Sequence, residues 1–321
     1  MRKHPSLSAG LRYKVLSFPP NFPLPPKAQE EAGTPTAVHS ESYVLIGASN
    51  RFNSRLRLGM LPTADENASR TANFISAAEE NEIWRIKDGE SLLDFLEGAL
   101  PQLPVRSILS SAEAHRFAES EGARFPPPQY SERFVDVLQG NECGVVLVGD
   151  ALHAFPPDLG QGVNAGLEDI MKLRESLRRH GHDLANALPD FERNRRPDVK
   201  SLVRLMQVSH PLQYKQYKYL ALLFQLKFIA QFLISKVSFG LIYRPPFLEV
   251  MNAEFTYSEI LRRVERNCKR YQLGGYALGA ASGLFFALRG RWLAAMACLL
   301  APALLVALLF EKTPKEFELA D

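Results

Sequence analysis

Apolar and polar positions change period along this chain, and each change marks a different kind of element. The first 40 residues are rich in Pro, Ser and Ala. Pro19, Pro20, Pro23, Pro25 and Pro26 interrupt regular structure there, leaving an extended edge with one strand near 11–16. Residues 42–47 form a short apolar run and 56–61 alternate, the pattern of a sheet with one buried face. Residues 72–86 and 91–100 read as helices, with Glu79, Glu80, Glu82 and Asp88 as a solvated face. Residues 143–148 are continuously apolar and end in Gly149-Asp150, as strands of buried parallel sheets do. A loop over 151–159, with Pro156-Pro157, leads to Gly160-Gln161-Gly162, and a helix is predicted from Val163 to about His180. Its apolar positions Val163, Leu167, Ile170, Met171 and Leu177 fall roughly on one stripe. Glu168 and Asp169 early, Arg178, Arg179 and His180 late, and Gly181 just beyond agree with helix polarity and capping. Residues 184–207 read as a helix with a bend at Pro197. Residues 217–243 carry many Leu, Phe and Ile with Lys218, Lys227 and Lys236 spaced through them, and 254–271 form a charged helix.

Beyond that point charge disappears. Residues 273–288 carry none, Arg289-Gly290-Arg291 interrupts, and 292–310 are again uncharged. A bilayer core needs ~20 apolar residues per spanning helix, so the second run is long enough and the first is marginal. Two arrangements follow: a hairpin turned at 289–291, or one spanning helix preceded by an interfacial one. A buried helical hairpin in a soluble core has the same pattern. Basic residues flank both runs (Arg262, Arg263, Lys269, Arg270; Arg289, Arg291; Lys312, Lys315), so charge does not orient them. Residues 218–243 could lie on a membrane surface or cap a substrate domain.

Composition narrows the classes. With 321 residues, 46% hydrophobic and 23% charged, the chain can build one large or two ordinary cores and is not disordered overall. Its 38 basic and 35 acidic residues are dispersed, which leaves no nucleic-acid footprint. Cys143, Cys268 and Cys298 are far apart with no C-x-x-C, so neither a zinc site nor a disulfide framework is expected. No apolar run follows Met1, so no cleavable signal peptide is expected.

The chemistry concentrates between Gly149 and Asp169. An acid at the carboxyl end of a buried parallel strand can accept hydrogen bonds from sugar or polyol hydroxyls, and ligands of α/β sheets bind at that rim. Gly160 and Gly162 allow close approach, and the first amides of the next helix favour an anion or an electron-rich ring. An ordinary strand-to-helix turn would also use an acid and glycines, so the full string matters. Gly149-Asp150-Ala151-Leu152-His153-Ala154, then Pro157, then Gly160-Gln161-Gly162-Val163-Asn164-Ala165-Gly166, then Glu168-Asp169, resembles the second FAD motif of the aromatic-hydroxylase group of flavoprotein monooxygenases. The form of 161–169, the stretch Leu188-Pro189-Asp190-Phe191-Glu192-Arg193, Arg196-Pro197-Asp198 and the hydrophobic tail look most like the kynurenine 3-monooxygenase subfamily.

That resemblance implies an α/β fold: an α+β substrate sheet plus a partial FAD-binding α/β domain, with a helical, hydrophobic C-terminal region. It implies boundaries at 1–135 (substrate sheet and helices), 136–210 (C-terminal part of the FAD-binding domain), 211–272 (helical cap) and 273–310 (membrane anchor). It places FAD on Gly149, Asp150, Pro157, Gly160, Gln161, Gly162, Val163 and Asn164, with Asp150 at the ribityl chain and His153 bracing the loop. It further implies NADPH as cosubstrate, a small aromatic substrate, and a lipid bilayer met through the C-terminal segment, the mitochondrial outer membrane being the relatives' address. Two departures stand beside it. No G-x-G-x-x-G follows a strand, so the chain is expected to begin partway into the substrate sheet and to hold FAD weakly alone. Val208-Ser209-His210 and Pro157-Asp158-Leu159 replace aromatic clusters of the subfamily, which bears on the substrate. A truncated, non-catalytic, membrane-anchored remnant or interaction protein is the alternative function.

Overall fold

The computed structural model describes residues 1–25, 35–47, 56–76, 81–138, 143–209, 214, 218–252 and 254–291. The expected run 292–310, with Cys298, lies outside them, as do Glu79, Glu80 and His210. The chain divides into two compact units, residues 10–125 and residues 1–9 with 126–321.

A short strand, β1 (Arg2–Lys3), belongs to the second unit. The first unit is built on an antiparallel five-stranded sheet. Its strands are β2 (Arg12–Phe18), β3 (Tyr43–Ile46), β4 (Arg57–Met60), β5 (Arg70–Ser76) and β6 (Ala123–Arg124), in the order β3-β4-β5-β2-β6. Alternation dictates the buried face: Lys14, Leu16 and Phe18 of β2, Leu58 and Met60 of β4, and Ala72 and Phe74 of β5 all point inward. Helices α1 (Gly89–Ala99), α2 (Val105–Ile108) and α3 (Ser111–Glu119) accompany the sheet. Leu92, Leu93 and Leu96 of α1 and Ala114 and Phe117 of α3 join its core. Lys14 is tolerated inside because its Nζ donates to the Phe117 carbonyl at 2.9 Å, in the last turn of α3.

Two expectations change here. The helix predicted over 72–86 is strand β5, continued by a single 3₁₀ turn at Glu82–Trp84. Hydrogen bonding on both edges, to β2 and to β4, overrides whatever helical preference the segment has. Asp88 belongs to no helical charged face; it caps α1 by accepting from Ser91 N at 2.8 Å.

The second unit begins with β7 (Gln129–Tyr130), β8 (Val135–Val137) and β9 (Gly144–Val146). β9 pairs antiparallel with β8, and Val145 is 52% exposed. The apolar run 143–148 is therefore not a parallel strand buried on both faces. Among the described residues it has one strand neighbour, and a hairpin partner is necessarily antiparallel. β10 (His153–Ala154) lies beside β7, and β1 covers the other side of β7. Helices follow: α4 (Gly162–Arg179), α5 (Leu184–Val208), α6 (Lys218–Val237), α7 (Pro246–Val250) and α8 (Tyr257–Ala287). Pro189 and Pro197 lie inside α5 without dividing it. The charged segment 254–271 and the uncharged run 273–288 form one helix, α8, opened by a capping box between Thr256 and Glu259. α8 stops where the turn was expected: Gly290 has φ +71° and Arg291 N donates back to Phe286 O at 3.0 Å.

The stripe on α4 is inverted. Val163 (75%), Leu167 (60%), Ile170 and Met171 are exposed, whereas Ala165, Asp169 and Ser176 face inward. The helix packs on α5 through this small and polar line. One helix among the described residues, Tyr219–Val237 of α6, is long and apolar enough to cross a membrane, and most of its side chains are exposed.

Candidate functional site

The segment between β9 and α4 is built in two layers. Above, the chain passes through a 3₁₀ turn at Gly149–Ala151, strand β10 and a second 3₁₀ turn at Pro157–Leu159. Gly160, at φ +61°, then turns it into α4, and Gly149 has φ +57°. Both are conformations that L side chains resist, and a Cβ at either would meet nothing within 4 Å, so both glycines border open space. Asp150, Pro157, Gly160, Val163 and Asn164 are exposed, Gly149 and Gly162 half-buried and Gln161 buried.

Gln161 explains why the start of α4 is open. It occupies the cap position, yet its side chain turns inward: Nε2 donates to Leu159 O at 3.3 Å and Oε1 accepts from Tyr257 Oη at 3.0 Å. No side chain caps the helix, and its first turn holds no acid. The free amides and the positive end of an 18-residue helix dipole therefore face outward beside the two glycines. Burial, with the Glu168 carboxylate adding to it, pushes the Tyr257 hydroxyl up to about 12, which keeps it a donor.

Below lies a brace that the sequence reading took for simple helix polarity. Asp169 is fully buried. Its Oδ2 accepts from Gly149 N at 2.8 Å and lies 2.9 Å from His153 Nε2, and its Oδ1 accepts from Arg195 Nε at 2.7 Å. Arg195, also fully buried, donates to Ala165 O at 3.1 Å and pairs with Glu168 at 2.9 Å. Burial alone would raise the Asp169 carboxyl; His153, the Gly149 amide and Arg195 outweigh it and hold the group below its ordinary value. One carboxylate thus ties both ends of the loop, Gly149 and His153, to α4 and α5. His153 stacks on Phe155 at 5.7 Å and braces the loop from beneath.

Seven of the eight expected residues are exposed or half-buried along one stretch, the lip from Gly149 to Asn164, whereas the eighth, Gln161, turns its side chain inward. The structure does not set that lip at the rim of a parallel sheet among the described residues. Arg195 and Tyr257 were missed. Arg195 left a legible sign, since it lies four residues from both Phe191 and Val199 on the buried line of α5. A charge on such a line requires a buried partner. Tyr257 is 96 positions from Gln161 and left none.

Residues 105–205 match the FAD binding domain family. The likeness to an FAD-binding domain carried by the motif is thereby shown for this stretch. Among curated proteins the chain is similar to kynurenine 3-monooxygenases. It is 41% identical to that of Flavobacterium psychrophilum over 61 residues, covering 19% of this chain and 14% of the relative. It is 31% identical to that of Sus scrofa over 152 residues, covering 47% and 30%. The chain thus spans less than a third of the length of these relatives. The solved structure of PqsL, a probable FAD-dependent monooxygenase from Pseudomonas aeruginosa, aligns with 68% of this chain and 52% of its own at 17% identity and a TM-score of 0.36.

Proposed function

We propose that the lip from Gly149 to Asn164 holds the ring end of FAD, in an NADPH-using monooxygenase that hydroxylates a small aromatic substrate as kynurenine 3-monooxygenases do. The observation that carries this reading is the uncapped start of α4, open beside two glycines of positive φ and fixed from below by the Asp169 brace. These residues fit a flavin: the glycines leave room where a Cβ would intrude, and the amides of Gly162, Val163 and Asn164 suit a ring that gains negative charge. Asp150, exposed at the lip, is placed to accept from ribityl hydroxyls, and Pro157 forms the opposite border. When bound, FAD supplies the two-electron chemistry that activates oxygen. The chain's own part is to orient the ring, exclude water beneath it with Leu159 and Gln161, and hold the loop rigid.

The division at 1–135, 136–210, 211–272 and 273–310 belongs to the same proposal, as does attachment to a bilayer, with the mitochondrial outer membrane as the address. The exposed apolar side chains of α6 and of the second half of α8 support a lipid contact. Deleting 273–321 is expected to release the protein from phospholipid vesicles in a flotation assay; a truncated chain that still floats would place the contact on α6.

The alternative is a non-catalytic, membrane-anchored remnant or interaction protein of the same family. Titrating the chain with FAD and following flavin fluorescence tests the main reading. Weak quenching is expected, further weakened by Asp150→Ala and by Gly160→Val. Quenching that neither substitution alters would remove the lip as the flavin site.

A further inference from the structure

Charge on α8 is confined to its first half. Between Arg262 and Arg270 the helix carries five basic residues against one acid, Glu265, and no Asp or Glu follows from 266 to 310. At about 100° per residue, Arg262, Arg266, Lys269 and Arg270 (i, i+4, i+7, i+8) share one side of the helix. Arg262, Arg266 and Lys269 are exposed and Arg270 is half-buried. Among the described residues none of these four forms an ion pair, whereas the neighbouring Arg263 pairs with Glu249 at 2.9 Å. Like charges at such spacings repel, so this side of the helix is complementary to an anion.

The cations are also gathered beside apolar groups. Arg266 and then Arg270 bear on the Tyr243 hydroxyl and hold it below its ordinary value. The Arg270 guanidinium lies 5.3 Å from the Tyr243 ring and donates to the Leu241 carbonyl. Leu241 itself is 66% exposed, and Phe239, two residues earlier, is fully exposed. Beyond Arg270 the same side of α8 continues without charge: Leu273, Tyr276, Leu284 and Leu288 fall at i+11, i+14, i+22 and i+26 from Arg262, and all are exposed. A side that only met water would have no reason to change from cations to leucines without turning. Cations, then a leucine and a tyrosine, then leucines is the order of a headgroup layer, an interface and a hydrocarbon core. Arg266 stands about 10 Å of helix axis before Leu273, close to the depth of one headgroup layer.

We propose that this side of α8 docks on anionic phospholipid headgroups. Arg266, Lys269 and Arg270 meet the negative groups, and Leu273 and Tyr276 enter the interface beneath them. The inference rests on the bilayer contact proposed above and adds the class of lipid; the flavin lip takes no part in it.

Sedimentation of the full chain with vesicles tests it. One set of vesicles is phosphatidylcholine alone, and the other contains about 30 mol % phosphatidylserine. In about 0.1 M salt the chain is expected to partition about tenfold more strongly onto the anionic set, and the difference should vanish near about 1 M. Arg266→Gln with Lys269→Gln and Arg270→Gln should abolish the difference and leave binding to phosphatidylcholine alone unchanged. Removing the same charge from α4 and α5, by Arg174→Gln, Arg178→Gln and Arg193→Gln, should preserve it. Arg266→Lys with Arg270→Lys, which keeps the charge, should preserve most of it even if the glutamine variant folds poorly. Equal binding to both sets overturns the proposal and leaves the bilayer contact standing; binding to neither overturns both. The proposal also falls if the α8 glutamine variant keeps the preference, or if the α4 and α5 variant loses it as fully. It falls too if inorganic phosphate abolishes the preference where chloride of equal ionic strength does not, since the site would then be one for soluble phosphate.

Discussion

Asp169 carries more of the candidate site than any residue on its surface. It joins a loop amide, an imidazole and a guanidinium inside the protein, with every partner within 2.9 Å. Removing one end of the Asp169–Arg195 ion pair leaves the other charged and dry. Arg195→Met is therefore expected to cost about 3–5 kcal/mol in a denaturant titration. Replacing both ends of the ion pair together, Asp169→Leu with Arg195→Met, should cost less than the sum of the single changes. The pH dependence follows in sign from Asp169. Its folded carboxyl is held below the ordinary value of 3.8, so its contribution is complete above that pH and is lost as pH falls through the lower folded value. Denaturant midpoints measured from pH 6 down to pH 2 should show a loss that Asp169→Asn, already destabilised, does not share.

At the scale of elements, α4 shows that a stripe can be read correctly and assigned to the wrong side. Val163, Leu167, Ile170 and Met171 do share a face, but the neighbours of the helix lie on the other. Leu167→Ser is accordingly expected to change stability by less than about 0.5 kcal/mol. Ala165→Leu, on the inner line, should cost about 1–3 kcal/mol by overpacking. Thermal melts of the two variants decide between the faces, and the opposite ranking would restore the stripe as the core side. β5 is the complementary case. Ala72 and Phe74 are the buried pair of a central strand, and only its neighbours β2 and β4 make that period of two prevail. Where local signals were strong and agreed, as in the polarised α4, the long α5 or the alternating β4, the elements came out within a residue or two.

For the whole molecule, the division into residues 10–125 and the remainder has a direct consequence. The first unit has its own sheet, three helices and a continuous apolar core. Expressed alone as residues 10–125, it is expected to melt in one cooperative transition and to give dispersed amide resonances. A collapsed spectrum would show that this core depends on the rest of the chain. The described residues of the second unit include two apolar clusters, one around Phe134, Phe191 and Val199 and one around Leu202, Met206 and Ile260, and the Arg195 brace lies on α5 between Phe191 and Val199 of the first.

The motif from Gly149 to Asp169 was legible because its residues are neighbours in the chain, where glycines, a proline and a helix start act over short range. The same holds for helices α4 and α5, for the break at Arg289–Arg291 and for the resemblance to flavoprotein monooxygenases. What lay out of reach depended on residues that meet only after folding. Arg195 is 26 positions from Asp169, and Tyr257 is 96 from Gln161. Burial is likewise a property of neighbours: a local pattern says which residues share a side, and only the assembled protein says whether that side meets protein or water.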